Sequence, residues 1–157
     1  MKVNLKEMTY KEIKEGSFQV AVLPWGSCEP HNLHLPYGCD TLTAEKVAEI
    51  SCRKAKEKGA EVILLPSISY GAVKTVSEFP FALHLSLSTQ AKILEDLLFS
   101  LEKSRIHKLV IINGHGGNEF KGILREFYES TPVKIFLINW WEVGKDLEKI
   151  FEEKEGG

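Results

Sequence analysis

The sequence predicts an α/β fold whose central sheet is mostly parallel and covered by helices on both faces. Three observations predict it. Four short apolar runs alternate with stretches whose apolar residues recur at helical spacing. The connections are long enough to cross back over a sheet, which makes successive strands parallel. A chain of 157 residues also suffices for a single domain, 1–157, that buries roughly two thirds of its unfolded surface.

Phe18–Pro24 reads as the first buried strand, closed by Pro24. Thr41 or Thr43 can cap a helix that runs to Lys58, where Gly59 stops it. Glu61–Pro66 is the second strand. A polar, glycine-containing loop follows from Ser67 to Leu85, long enough to be functional. Ile93, Leu94, Leu97, Leu98 and Leu101 form the buried stripe of a helix over 88–103. Lys108–Asn113 is the third strand, and a helix from Asn118 buries Phe120, Ile123, Leu124 and Phe127. Val133–Ile138 is the fourth strand, and Val143, Leu147, Ile150 and Phe151 mark a last amphipathic helix.

Composition narrows the partners. Apolar residues make up 43% and charged residues 27%, as in ordinary soluble domains. A net charge of -2 with no basic cluster gives no electrostatic reason to expect nucleic acid. The N-terminus has no apolar stretch of signal or membrane-span length, so no membrane partner and a cytoplasmic location are expected. Three cysteines match no zinc-finger spacing. Cys28 and Cys39 read either as small fillers or as reactive thiols needing a nearby base or cation, and Cys52 is structural.

Chemistry concentrates in two clusters. Gly26–Asp40 follows the first strand and carries Glu29, His31, His34 and Asp40, while Asn113–Asn118 follows the third and carries His115. Parallel strands put both clusters on one rim of the sheet, where open α/β sheets bind ligands. Glu29 and His31, two apart, share a face if the segment is extended. Asp40 can fold back through the Pro36-Tyr37-Gly38 turn and bridge two ions about 3.5–4 Å apart. Nitrogen and oxygen donors favour zinc or manganese over an iron–sulfur centre. His34 is a ligand, an orienting residue or a substrate contact, whereas His84 and His107 stand apart. Gly116 and Gly117 permit a tight strand-to-helix turn with close approach to a ligand, and the helix N–H groups beyond can hold a substrate oxygen.

The segments Leu23–Asp40 and Ile112–Asn118 resemble the creatininase (creatinine amidohydrolase) family. The resemblance implies a three-layer α/β/α fold, usually assembled as a hexamer, with two divalent metal ions, zinc, manganese or iron. It implies that Glu29 and His115 bind one ion, that His31 binds the other, and that Asp40 bridges them. Several departures stand out. Asn32 replaces a frequent glycine, and Thr75 and Val76 replace a Glu-His pair in the middle loop. Phe81 and Ala82 replace the Gly-Thr of a Phe-Pro-Gly-Thr stretch, and Gly117 stands where creatininase has a glutamate ligand. The family's C-terminal third, with its His-Ala-Gly-x-x-Glu-Thr-Ser-like stretch, is expected to be lacking.

The expected activity is metal-dependent hydrolysis of a non-peptide C–N bond in a small cyclic amide or formamide, with His34 or a residue beyond Gly157 as the acid for the departing nitrogen. The rivals are a metal-binding or assembly module without turnover and a polyol- or sugar-handling metal enzyme. The homo-oligomer expected by resemblance leaves Trp140 and Trp141 to a subunit interface, the pocket or the core.

Overall fold

A computed structural model describes residues 2–143. A helix at Tyr10–Glu15 (α1) precedes the first strand, Val20–Trp25 (β1). Then come Cys39–Glu57 (α2), Val62–Leu64 (β2), Leu87–Lys103 (α3) and Lys108–Asn113 (β3). Phe120–Glu126 (α4), Lys134–Asn139 (β4) and Trp140–Val143 (α5) complete the described chain. The strands form one sheet in the order β2-β1-β3-β4, and every pair is parallel.

Period-two alternation along the strands divides the core into two layers. Ala21, Leu23 and Trp25 of β1, with Leu109 and Ile111 of β3, face Leu94, Leu98 and Leu101 of α3 and Phe120 and Ile123 of α4. Val22, Val62, Leu64 and Ile112 face the other way, onto Ala44, Ala48 and Cys52 of α2. Each leucine of the α3 stripe contributes about 1.5–3 kcal/mol by leaving water. The small residues of α2 let that helix lie close to the sheet instead.

Chain order then places the functional rim. From β1 the chain moves to one side to make β2, and from β2 it crosses beyond β1 to make β3. The strand order therefore reverses at the β1–β3 pair, and a crevice opens outside the carboxyl ends of those two strands. The loops after Trp25 and Asn113 both empty into it.

Several boundaries differ from the sequence reading. Pro24 does not close β1, because Trp25 still pairs with Asn113. The Pro24 carbonyl still accepts the Ile68 N–H at 3.0 Å, so pairing on the β2 side carries on past it. Helix α2 begins at Cys39 rather than beyond Thr41 or Thr43, and its N-cap Gly38 makes no side-chain cap. Thr41 is buried and its hydroxyl donates to the Ser27 carbonyl, which ties the helix to the first motif loop. Asp40 consequently sits in the first turn of α2. Helix α4 starts at Phe120, later than Asn118, and has seven residues. Leu147, Ile150 and Phe151 of the expected last helix lie outside the described residues.

Candidate metal centre

Four of the five expected site residues converge in the crevice. The Asp40 carboxylate lies between two histidines. Its Oδ1 is 2.9 Å from His31 Nε2, and its Oδ2 is 2.9 Å from His115 Nδ1. Glu29 Oε1 approaches the same His115 nitrogen at 3.0 Å. Donor atoms of Glu29, His31 and Asp40 all lie within 4.8 Å of one another. These four side chains are only 10–15% exposed, so strong mutual interactions are not diluted by water.

Each side chain is aimed by local structure. The first motif loop doubles back, Glu29 N–H donating to the Tyr37 carbonyl and His31 bridging antiparallel to Leu35. That fold lays Glu29 and His31 against Asp40 at the start of α2. The Ser27 hydroxyl, fully buried, donates to Asp40 Oδ2 at 2.7 Å. His31 Nδ1 is 3.2 Å from the Glu29 carbonyl, and His115 Nε2 is 3.2 Å from the Ala72 carbonyl. A ring N–H donated to a carbonyl leaves the other nitrogen as the ligating one. Nε2 of His31 and Nδ1 of His115, the two atoms facing Asp40, are thus the nitrogens free to hold a cation.

The electrostatics agree with a cation site. Burial pushes the Glu29 carboxyl above its ordinary range, and the neighbouring Asp40 charge adds to this against the pull of His115 and His31. Burial also works on Asp40, but hydrogen bonds from His115 and Ser27 and the charges of His31 and His115 outweigh it, holding the carboxyl low. Burial would lower His115; its bond to Asp40 and the Glu29 charge reverse the direction and raise it. Two carboxylates therefore crowd the His115 ring, and a divalent ion between them would offset their mutual repulsion. The mixed nitrogen and oxygen donor set fits zinc or manganese.

His34 does not join this cluster by any hydrogen bond among the described residues, and it is exposed on the loop between His31 and Tyr37. His84 accepts the Val73 N–H in the middle loop. Gly117 has a different role from close approach to a ligand. A Cβ there would lie 2.4 Å from His115 Nε2 and 2.5 Å from the Ala72 oxygen, so glycine lets that ring reach its carbonyl. The same crowding excludes a glutamate ligand at this position in this conformation. Cys28 and Cys39 are half-buried, burial raises the Cys39 thiol, and Cys52 is buried with its thiol pushed up to about 11.

Ser27 and Asn118 were not apparent as site residues from spacing. Asn118 closes the Ile112–Asn118 motif, and a second asparagine five residues after Asn113 was the available signal.

Comparison with known proteins gives the family and the fold. A family model described as creatininase, creatinine amidohydrolase, matches residues 6–157. A mycofactocin precursor peptide peptidase of Mycobacterium tuberculosis is 37% identical over 105 residues, covering 62% of this chain and 40% of that protein. A creatinine amidohydrolase of Pseudomonas putida is 27% identical over 157 residues, covering 89% of this chain and 58% of its own length. A crystal structure from Bacteroides fragilis, of a candidate creatinine amidohydrolase, superposes with a TM-score of 0.86 at 37% identity, covering 96% of this chain and 60% of that one. A zinc–zinc form of a creatininase mutant superposes with a TM-score of 0.76 at 25% identity, covering 98% of this chain and 65% of that one. The chain thus spans about two fifths to three fifths of the length of the curated relatives it matches.

Proposed function

Since this chain belongs to the creatininase family, matched over residues 6–157, we propose that it carries the metal centre of a two-metal amidohydrolase. The observation that supports this best is the Asp40 carboxylate, whose two oxygens each face a different histidine at 2.9 Å. In this reading Glu29, His115 and Asp40 would hold one ion, and His31 and Asp40 would hold the other. Zinc or manganese suits the donors. The substrate is a small cyclic amide, a formamide or a related compound with a non-peptide C–N bond.

Two ions held there would supply Lewis-acid polarisation of a carbonyl and a more acidic water. The residues do the positioning. Asp40 would be held by both ions, and Ser27 keeps one of its carboxylate oxygens in place. The carbonyls of Glu29 and Ala72 fix which nitrogen each histidine presents. We assign protonation of the departing nitrogen to His34, exposed three residues beyond His31. The relatives that support a coarse C–N hydrolase reading act on different substrates, so the choice among them rests on assay. Self-association into a homo-oligomer, a hexamer by family resemblance, belongs to the same proposal.

The test is metal analysis together with hydrolysis of a lactam, a formamide and a short peptide. Two ions per chain, with loss in Asp40→Ala, and turnover of the lactam or formamide are expected. Equal metal in the variant sinks the bridging role of Asp40. His34→Gln should keep its metal and lose about 10²–10⁴ in kcat, and unchanged kcat removes His34 as the acid. One observation favours a second reading, a metal-holding module without turnover: the second ion has only His31 and Asp40 among the described residues. Retained metal with no turnover on any of the three substrates selects it.

A further inference from the structure

The Asn118 side chain hydrogen-bonds to none of the four side chains that turn their donors into the crevice, although its backbone N–H donates to the His115 carbonyl at 3.2 Å; three chain segments that aim those donors meet on its amide. It is only 5% exposed. Its Nδ2 donates to the Gly26 carbonyl and to Asn113 Oδ1, both at 3.2 Å. Its Oδ1 accepts from Ala72 N–H and from Gln90 Nε2, both at 3.1 Å. Two donors and two lone pairs are all a primary amide has, so its capacity is filled.

Each partner leads directly to a ligand. Gly26 precedes Ser27, whose hydroxyl holds Asp40. Ala72, gripped through its N–H, turns its carbonyl to His115 Nε2. Asn113 Oδ1, besides receiving Asn118, receives the backbone N–H of His115 at 3.2 Å. Gln90 anchors the knot to α3 and donates a second bond to the Leu85 carbonyl. The fit is close: a Cβ on Gly71 would stand 2.8 Å from the Gly26 oxygen and 3.0 Å from Asn118 Oδ1.

We infer that Asn118 is a positioning residue for the metal centre, setting the distance between the Asp40 and His115 loops and the direction of the His115 ring. The inference rests on the metal-site reading above. A ligand constellation works only within about half an ångström of its productive geometry, and loss of an outer partner that orients a ligand weakens metal binding about 10- to 100-fold. A buried amide that merely stabilised the fold would not act selectively on the ion.

The experiment titrates Co²⁺ and Zn²⁺ into the full chain against a chromophoric chelator, with the visible Co²⁺ spectrum as a report on ligand geometry. Asn118→Asp puts an oxygen against the Gly26 and Asn113 oxygens, and Asn118→Ser is a milder variant should the first fail to fold. Leu98→Ala is the control: it opens a cavity under α3 and touches none of the hydrogen bonds of the knot. Expected are a 10- to 100-fold loss of affinity and an altered Co²⁺ spectrum in the Asn118 variants. The control should melt earlier yet keep affinity within about twofold. Affinity in a folded Asn118 variant within twofold of the parent overturns the inference alone. A loss in Leu98→Ala equal to that in the Asn118 variants overturns it too. A parent chain that takes up neither ion overturns the metal-site reading, and this inference with it.

Discussion

Asn32 and Phe81 have φ of 55° and 62°. Both stand where the family resemblance expects glycine, which adopts that left-handed conformation without a Cβ clash. Asparagine tolerates it through its short polar side chain, whereas phenylalanine does not share that tolerance. Phe81 is also 79% exposed, so its ring returns little burial energy for the strain. Phe81→Gly should therefore stabilise the protein by about 0.5–1 kcal/mol, the strain relieved less the added chain entropy of glycine. Urea unfolding reads this directly, and a lower midpoint would show that the ring has contacts worth more than the strain. Gly117→Ala should act in the opposite direction. Its Cβ would stand 2.4 Å from His115 Nε2, so a cost of about 1–3 kcal/mol is expected. Weaker Zn²⁺ binding should accompany it, because the ring must turn from the Ala72 carbonyl; unchanged affinity in calorimetry would refute that link.

Helix α1 is held by a reciprocal cap. Thr9 Oγ1 accepts from Glu12 N–H, and Glu12 Oε2 accepts from Thr9 N–H at 2.7 Å. The Thr9 backbone bond, then Lys2 and the Thr9 hydroxyl, lower the Glu12 carboxyl from 4.5 to about 2. A carboxyl depressed on folding adds stability that is fully present above the unfolded value of 4.5 and fades as pH falls toward 2. Glu12→Gln should remove that acid-side dependence, seen as a flatter melting temperature between pH 5 and pH 2. A slope equal to the parent's would show the carboxylate adds nothing. The sequence reading passed over α1, although Thr9-x-x-Glu12 is a capping signature, because too few apolar residues follow it to form a stripe. Where the pattern was long it read true: Lys108–Asn113 has the same bounds in sequence and structure, and the leucine stripe of α3 is buried at Leu94, Leu98 and Leu101. The start of α2 was misplaced because threonine is a common cap, while Thr41 is spent on the Ser27 carbonyl and Gly38 begins the helix. The convergence of Glu29, His31, Asp40 and His115 was legible because parallel strands bring the ends of β1 and β3 together. The bonds from Asn118 to Ala72 and from His115 to the same residue join positions more than forty apart, and no local pattern announces them.

The sheet carries the site on its rim, so ligand binding and global stability are linked. An ion that binds only the folded chain stabilises it by about 2.7 kcal/mol when present at a hundred times its Kd. Added Zn²⁺ should raise the melting temperature, and a chelator should return it to the metal-free value. A melting curve indifferent to both would contradict a preformed cation site. Assembly adds a second expectation. Trp140 packs against the α2 layer, while Trp141 remains 37% exposed. Light scattering at micromolar concentration should report an oligomer, and a monomer would remove that proposal. The central place of β1 also bears on synthesis. Trp25 leaves the ribosome 88 residues before its partner Asn113, by subtraction of the two positions. At about 5–20 residues per second that interval is roughly 4 to 18 s. Throughout it, an apolar strand destined for the middle of the sheet lacks the neighbour on its β3 side. Such a chain has reason to depend on chaperones during translation, and on the speed with which its own third strand arrives.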